Sequence, residues 1–493
     1  MVQKTAMNLP LQLDRSSPVP LQDQLFEKLR HLILSGRLKP NTRVIATRFL
    51  AEQVGVSRRT VLFAYERLIS EGYLETRPAI GTFVSPTPPD QAKREAANAV
   101  AADVPRQAAL YPQSFRYAAK PNGKLPAGYI DFSPSLPDSA QLLPQKVWLR
   151  WMREVLLSDP GIFSRPGPVA GAEPLRQVIA DYLGATRGIL ATPEQIVIVS
   201  GRRQACSLVG HLFQRPGDRV VVEAPGDEDI TEFFRTRRAE VAAVAVDESG
   251  LDVGLLPEGR AALAYVTPSR QNPIGGIMPQ SRRATLIEWA RKAGAYLIED
   301  DSDSDLRYQG VAPQPLAAMD PYGLVFYVGS FSKTLGAGLS LGYLLVPPEF
   351  AEDILAIKSM AAEGGQYFEQ IVVANLLASG EYDHHLRRLR KIYMERRDSL
   401  IAALQAKFGD VELFGTEAGT QITWLLPDPF PSVSALCEAA MARGVRVAGV
   451  VDQAATASGF HEKALLLGYA NLTPDHLREG INRLAAVLAG LRA

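Results

Sequence analysis

Apolar side chains in the first 84 residues recur at helical spacing and then switch to alternation. Leu21, Leu25, Leu29 and Ile33 lie one turn apart and Gly36 follows them, which predicts a first amphipathic helix. Thr47 is placed to cap a second helix over RFLAEQV, which Gly55 ends. Ser57 is placed to cap a third from Arg58 to about Ser70, which Gly72 stops. Val61, Leu62, Tyr65, Leu68 and Ile69 are the expected apolar face of that third helix. The run YLETRPAIGTFV then alternates around Pro-Ala-Ile-Gly and reads as a β-hairpin. From Ser85 to about Ala127 the pattern is lost in the prolines Pro86, Pro88 and Pro89 and an alanine-rich stretch, so 87–127 is the expected linker. Short apolar runs follow, such as VIVS at 197–200 and Leu324 to Val328, which read as buried strands.

A helix, a short glycine turn and a capped helix make a helix-turn-helix, to which the hairpin adds a wing. The second helix of such a pair lies in the DNA major groove with its N-terminal residues at the base edges; here these are Ser57, Arg58, Arg59 and Thr60. Charge agrees with this. The chain balances 53 Lys and Arg against 53 Asp and Glu, yet residues 1–84 carry 12 basic against 7 acidic side chains and the remainder 41 against 46. A local basic excess suits one unit meeting a polyanion and another doing different work. At 493 residues and 46% hydrophobic content there is room for two or three domains. No apolar run approaches the roughly 18 residues of a membrane span, and MVQKTAMNLPLQLDR lacks a signal-peptide core. The expectation is a cytoplasmic protein with no membrane partner. Cys206 and Cys437 form no CxxC and have no histidine beside them, so no metal site is expected.

Candidate chemistry concentrates in VGSFSKTLGAGLSLGYLLVP, residues 328–347. Lys333 follows the Leu324 to Val328 strand at its end, where α/β sheets build their sites, and a lysine there can hold an aldehyde as a Schiff base. Ser330 and Ser332 are placed to donate to a phosphate, and Gly336, Gly338 and Gly342 let backbone approach it closely.

Residues 18–86 resemble a GntR-type winged helix through LQDQLFEKLRHLILSGRLKP, FLAEQVGVSRRTVLFAYERLISEGYLETRP and GTFV. The resemblance implies a double-stranded DNA operator, contacted by Arg48, Ser57, Arg58, Arg59, Thr60 and the wing residues Gly81 and Thr82. Ile45, Ala46 and Thr47 depart from the Pro-Ser-Ser usual before the arginine. Residues 128–493 resemble a fold-type I aminotransferase dependent on pyridoxal 5'-phosphate (PLP). The motifs run in order: IDFSPSLPD, GAEPLRQVIADYL, VIVSGRRQACSLV, RPGDRVVVEAPG, YVTPSRQNPIGG, YLIEDDSDSDLRY, the Lys333 segment, HHLRRLRKIYMERRDSL and LLLGYANL. Together the two halves resemble the MocR/GabR group of transcriptional regulators. The fold implied is an N-terminal winged helix-turn-helix, then a large α/β domain with a smaller C-terminal subdomain from near residue 360, in a head-to-tail homodimer. By position the resemblance makes Lys333 the Schiff-base lysine, Asp300 the carboxylate on the pyridine nitrogen, and Asn272 the amide on the ring oxygen.

Departures matter as much. Ser340 stands seven after the lysine, where the family has an arginine on the cofactor phosphate. Ser302 and Asp227 replace tyrosines, and Pro166 replaces a tyrosine that reaches the phosphate of the partner subunit. A charge-assisted hydrogen bond is worth about 1.5–3 kcal/mol, so these losses weaken PLP binding unless compensated. Gly201, Arg202 and Arg203 open a helix after VIVS at the phosphate end and are the candidates to compensate. LLLGYA carries no arginine near Leu466, where many aminotransferases fix the substrate carboxylate; Arg443 and Arg446 are the alternatives, and efficient transamination is not expected. The implied function is a regulator that binds PLP at Lys333 and senses a small amino compound or PLP itself, in control of a catabolic operon of the rhizopine type. Two other readings stay open: a working aminotransferase with an appended DNA module, and a regulator whose pocket no longer holds PLP.

Overall fold

A computed structural model describes residues 11–78, 80–88, 125–134, 137–361, 364–427, 432–450 and 461–492. The chain divides into two units, residues 1–111 and 112–493. Most of the expected linker, 89–124, lies outside the described residues, as do Ser135 and Leu136 of IDFSPSLPD.

The first unit is built from α1 (Leu21–Leu34), α2 (Thr47–Val54), α3 (Arg58–Ser70), β1 (Leu74–Arg77) and β2 (Gly81–Val84). Leu25, Phe26, Leu29 and Ile33 of α1 share one core with Leu50 of α2 and Val61, Tyr65 and Leu68 of α3. β1 and β2 pair antiparallel, Leu74 opposite Val84 and Arg77 opposite Gly81. The Val44 amide donates to the Thr82 carbonyl and the Val84 amide to the Thr42 carbonyl, which ties β2 to the segment between α1 and α2. Gly55 ends α2 at φ +68°, a left-handed conformation that favours glycine. Two expectations are corrected. Extended backbone at Ala46 makes that residue the cap of α2, with Thr47 already inside the helix and no side-chain cap bond. Leu62 and Ile69 are exposed and Ala64 takes the core position, because steps of about 100° from Val61 bring 64, 65 and 68 inward and turn Leu62 away.

The second unit opens with a two-residue strand, β3 (Ile130–Asp131), and helices α4 (Gln145–Ser158) and α5 (Glu173–Arg187). Its main sheet has eight strands: β4 (Ile196–Val199), β5 (Arg219–Ala224), β6 (Glu240–Asp247), β7 (Gly250–Leu251), β8 (Leu263–Val266), β9 (Tyr296–Asp300), β10 (Val325–Ser330) and β11 (Gly342–Leu345). They lie in the order β4-β11-β10-β9-β8-β5-β6-β7, with β11 and β7 antiparallel to their neighbours. Runs such as IVIV and LAYV are buried along their length because helices cover both faces. α6 (Arg202–Phe213) and α10 (Ala351–Ala361) pack on the face that presents Val220, Val222 and Phe326; α8 (Gln280–Ala293) packs on the face of Val221, Ala264 and Leu297. Short helices α7 (Glu228–Thr236) and α9 (Leu316–Met319) connect strands.

A second layer carries β12 (Glu412–Phe414), β13 (Gln421–Leu425), β15 (Ala448–Gly449) and β16 (Ala464–Gly468) in the order β12-β13-β16-β15. Trp424, Leu465 and Leu467 of this layer pack with Leu436 of α13 (Val433–Ala442) and Leu477 of α14 (Pro474–Arg492). It does not begin near residue 360. α11 (Tyr367–Ala378) packs with α5 on the main-sheet side, and the core changes inside α12 (Glu381–Phe408), where Tyr382 and Leu386 join the large core and Leu389, Tyr393 and Leu400 the small one. β3 also belongs to this layer, paired with β14 (Val445–Arg446).

Candidate ligand pocket and nucleic-acid face

Loops leaving the carboxyl ends of the parallel strands form a partly open cleft lined by Arg202, Thr267, Arg270, Asn272, Asp300, Asp301, Ser302, Asp303 and Lys333. Such ends are where open α/β sheets place ligands. Four residues expected from the sequence, Lys333, Asp300, Asn272 and Arg202, thus share one cavity. Lys333 comes three residues after β10, in a turn closed by the Ser332 amide on the Ser330 hydroxyl (3.2 Å) and the Leu335 amide on the Phe331 carbonyl (2.8 Å). Its Nζ is paired with Asp303 Oδ1, and the other oxygen of Asp303 lies 3.4 Å from the Arg270 guanidinium. Burial alone would raise the Asp303 carboxyl, but Lys333 and Arg270 more than offset it and hold the carboxyl below its usual range.

Asp300 ends β9. Its Oδ2 accepts from the Tyr265 hydroxyl at 2.7 Å, and its Oδ1 accepts from the Ser302 amide at 3.0 Å and from the Ser302 hydroxyl. The serine that stands in the tyrosine position is therefore turned onto Asp300. Arg202, the first residue of α6, pairs with Asp227 at 2.5 Å, while its buried Nε has no hydrogen-bond partner. Asp227 also caps α7 by accepting from the Ile230 amide.

Behind the cleft the Thr267 and Gln271 loop is fixed by Glu223, a buried carboxylate near the end of β5. It accepts from the Thr267 amide (2.9 Å), the Thr267 hydroxyl and the Gln271 side-chain amide (3.1 Å). The Asn272 amide in turn donates to the Thr267 hydroxyl at 3.1 Å. Burial pushes the Glu223 carboxyl up to about 7, against those hydrogen bonds and with help from nearby Asp300.

Other expected residues lie elsewhere. Ser330 and Ser332 spend their hydroxyls on each other (3.0 Å), and Gly201 caps α6 without lining the cleft. Arg203 points away and pairs with Asp229, Ser340 sits in a left-handed turn outside the lining, and Pro166 is exposed. Arg446 lies 3.5 Å from Asp131 and Arg443 lies beside Gly490, so neither reaches the cleft, and Leu466 is a buried strand residue. Arg270, Asp303 and Glu223 were missed, although each stands inside a quoted motif, TPSRQN, DDSDSD and EAPG. The signal available was a charged side chain in or beside a strand-end loop. Arg270 is buried, donating from Nε to the Ala418 carbonyl (3.0 Å) and from Nη2 to the Gln421 carbonyl (2.7 Å), which joins the cleft to the smaller layer.

In the first unit Ser57 accepts from the Thr60 amide at 3.1 Å and its hydroxyl meets that of Thr60 at 2.8 Å, so both side chains serve the α3 cap. Arg58 and Arg59 are exposed on the first turn and form no ion pair among the described residues. Arg48 is exposed on α2, 3.6 Å from Glu52. Thr82 pairs with Thr76 in the wing, and a Cβ on Gly81 would come within 2.8 Å of the Arg43 side chain.

Two family models match: Bacterial regulatory proteins, gntR family, over residues 21–84, and Aminotransferase class I and II over 129–484. The sequence is 32% identical to the probable rhizopine catabolism regulatory protein MocR of Rhizobium meliloti over 98% of this chain and 97% of that one. It is 33% identical to the HTH-type pyridoxine biosynthesis transcriptional regulator PdxR of Corynebacterium glutamicum over 82% of each. Among solved structures, the alpha-aminoadipate aminotransferase LysN of Thermus thermophilus, complexed with N-(5'-phosphopyridoxyl)-L-leucine, superposes with a TM-score of 0.66 at 28% identity, covering 74% of this chain and 93% of that one.

Proposed function

We propose that this chain, which belongs to the MocR-type transcriptional regulators of the GntR family and by its larger part to the aminotransferase class I and II family, couples DNA binding to occupancy of the Lys333 cleft. The aminotransferase family is PLP-dependent. The residues present fit that group: Lys333, Asp300, Asn272 and Arg202 line one cleft, and the buried Nε of Arg202 has no hydrogen-bond partner. Lys333 would carry the aldehyde carbon, Asp300 would face the pyridine nitrogen, and Arg202 would take the phosphate in place of the arginine lost at Ser340. PLP supplies an aldehyde with which amines condense. The chain's own part is to fix the direction of the Asp300 carboxylate through Tyr265 and Ser302, and to hold Lys333 on Asp303 until a ligand arrives.

In this reading the effector is a small amino compound or PLP itself, the working particle is a cytoplasmic head-to-tail homodimer on a double-stranded operator, and the regulated genes form a catabolic operon of the rhizopine type. No helix among the described residues is long and apolar enough to cross a membrane. The convergence of Lys333, Asp300, Asn272 and Arg202 on one cleft is the observation that carries the proposal. Titration of the purified protein with PLP tests it: a visible absorption band and a borohydride-fixed adduct are expected, and both are expected to vanish in Lys333→Ala. A band that survives in that variant sinks the assignment.

A further inference from the structure

Helix α3 carries an apolar pair that the fold leaves outside its core. With Val61, Ala64, Tyr65 and Leu68 turned inward, Arg59, Leu62, Phe63 and Glu66 fall on the opposite side. Leu62 is 44% and Phe63 46% exposed, and neither belongs to the core of this unit. The Arg59 guanidinium stacks on the Phe63 ring, 5.6 Å from its centroid, one helical turn away. Other candidate readers on the helix are already committed. Ser57 and Thr60 serve the cap, and Arg67 lies over the Phe26 ring and pairs with Asp23 and Glu71. Ile69, also exposed, lies in the last turn of the helix, so the side chains left in the first turns to meet base edges are two arginines, one glutamate and this apolar pair.

A major groove offers an apolar side chain one favourable partner, the 5-methyl group of thymine; elsewhere a leucine or phenylalanine only strips water from hydrogen-bonding edges. We propose that Leu62 and Phe63 read thymine, burying 5-methyl groups next to the guanine or phosphate that Arg59 takes. The surface around them suits DNA: the N-terminal unit has a basic excess, and the cap turn presents Arg58 and Arg59 at the positive end of α3. The inference rests on the placement of α3 in the major groove.

Full-length protein is used to select duplexes from a random-sequence library, and the selected duplex is remade with deoxyuridine for each thymine in turn, which removes only the methyl group. Affinity is expected to fall about fourfold at one or two positions, the effect of exposing one methyl-sized group. Leu62→Ala and Phe63→Ala are expected to bind the thymine duplex more weakly and to stop distinguishing it from its deoxyuridine counterpart. Both side chains are exposed, so the melting temperature should not move. Equal binding of the two duplexes by the unaltered protein overturns the proposal. So does full discrimination retained by both variants, including the case in which they instead change the sedimentation of the protein, which would give the pair to a protein contact. If no duplex is selected, or if replacing Arg58 and Arg59 together by alanine leaves affinity unchanged, the failure lies with the groove placement itself.

Discussion

At the scale of single residues, the two adjacent arginines of α6 separate sharply. Arg202 lines the cleft with an unpartnered Nε, whereas Arg203 reaches Asp229 on the outside. Arg202→Ala is expected to weaken PLP binding tenfold or more, the equivalent of one charge-assisted hydrogen bond at about 1.5–3 kcal/mol. Arg203→Ala should leave it within about twofold, and a PLP titration of the two apo proteins decides between them. Sequence alone could not choose, because successive residues at a helix start differ by about 100° in direction and only the loop geometry fixes which one turns inward. Lys333, Asp300 and Asn272 were legible because ordered motifs name them. Glu223 was not, since its role is to hold Thr267 and Gln271, two residues from another strand end. Its carboxyl rises from 4.5 to about 7 in the folded protein, so between those values the folded state holds a proton that the unfolded chain has lost. Stability from this group is complete below pH 4.5 and is lost as pH rises through 7, by at most about 3 kcal/mol. Urea unfolding of wild type and Glu223→Gln at pH 5 and pH 7.5 should show a shallower fall in the variant, which will also start less stable because the glutamine amide opposes the Gln271 donor.

Elements were read with uneven success, and the unevenness has a physical source. The extents of α1 and α3 follow from local spacing, and the start of α3 from a cap that needs only Ser57 and Thr60, so both helices are legible locally even though the inward face of α3 takes Ala64 and not Leu62 or Ile69. The start of α2 failed because a cap is set by backbone direction: extended Ala46 takes the position and leaves Thr47 in the first turn. The edge of the smaller layer failed because it depends on partners far apart in the chain. Ile130 pairs with Val445, and the 28-residue α12 passes from one core to the other without any break in its own pattern. The local reading of α3 yields a testable cost. Ser57→Ala removes the bond from the Thr60 amide and should destabilise the winged helix by about 1 kcal/mol. Thermal unfolding of the full chain should show the winged-helix transition moving down and the transition of the larger unit staying in place.

On the scale of the whole molecule, the proposed dimer and the proposed operator make one prediction. On the second unit, Leu149, Leu156 and Leu157 form an exposed stripe of α4, Phe163 follows it, and Leu157 and Phe163 are 70% and 72% exposed. Large apolar side chains grouped in this way mark a contact surface more often than a wetted one. A second copy of the chain is the partner expected for it. If that contact joins two protomers, it also links two DNA readers, and the second half-site is then bound at the high effective concentration that linkage confers. Leu157→Arg combined with Phe163→Glu should therefore shift sedimentation from dimer toward monomer while leaving the PLP absorption band in place. The same variant should bind a two-half-site duplex far more weakly and a single half-site as before. Its affinity should also depend less steeply on salt, because one reader neutralises fewer phosphates than two. Arg58→Ala with Arg59→Ala should do the reverse, abolishing binding to either duplex while the protein remains dimeric. A surface variant that turns monomeric yet keeps full affinity for the paired site would show that the two readers are joined by some other part of the chain.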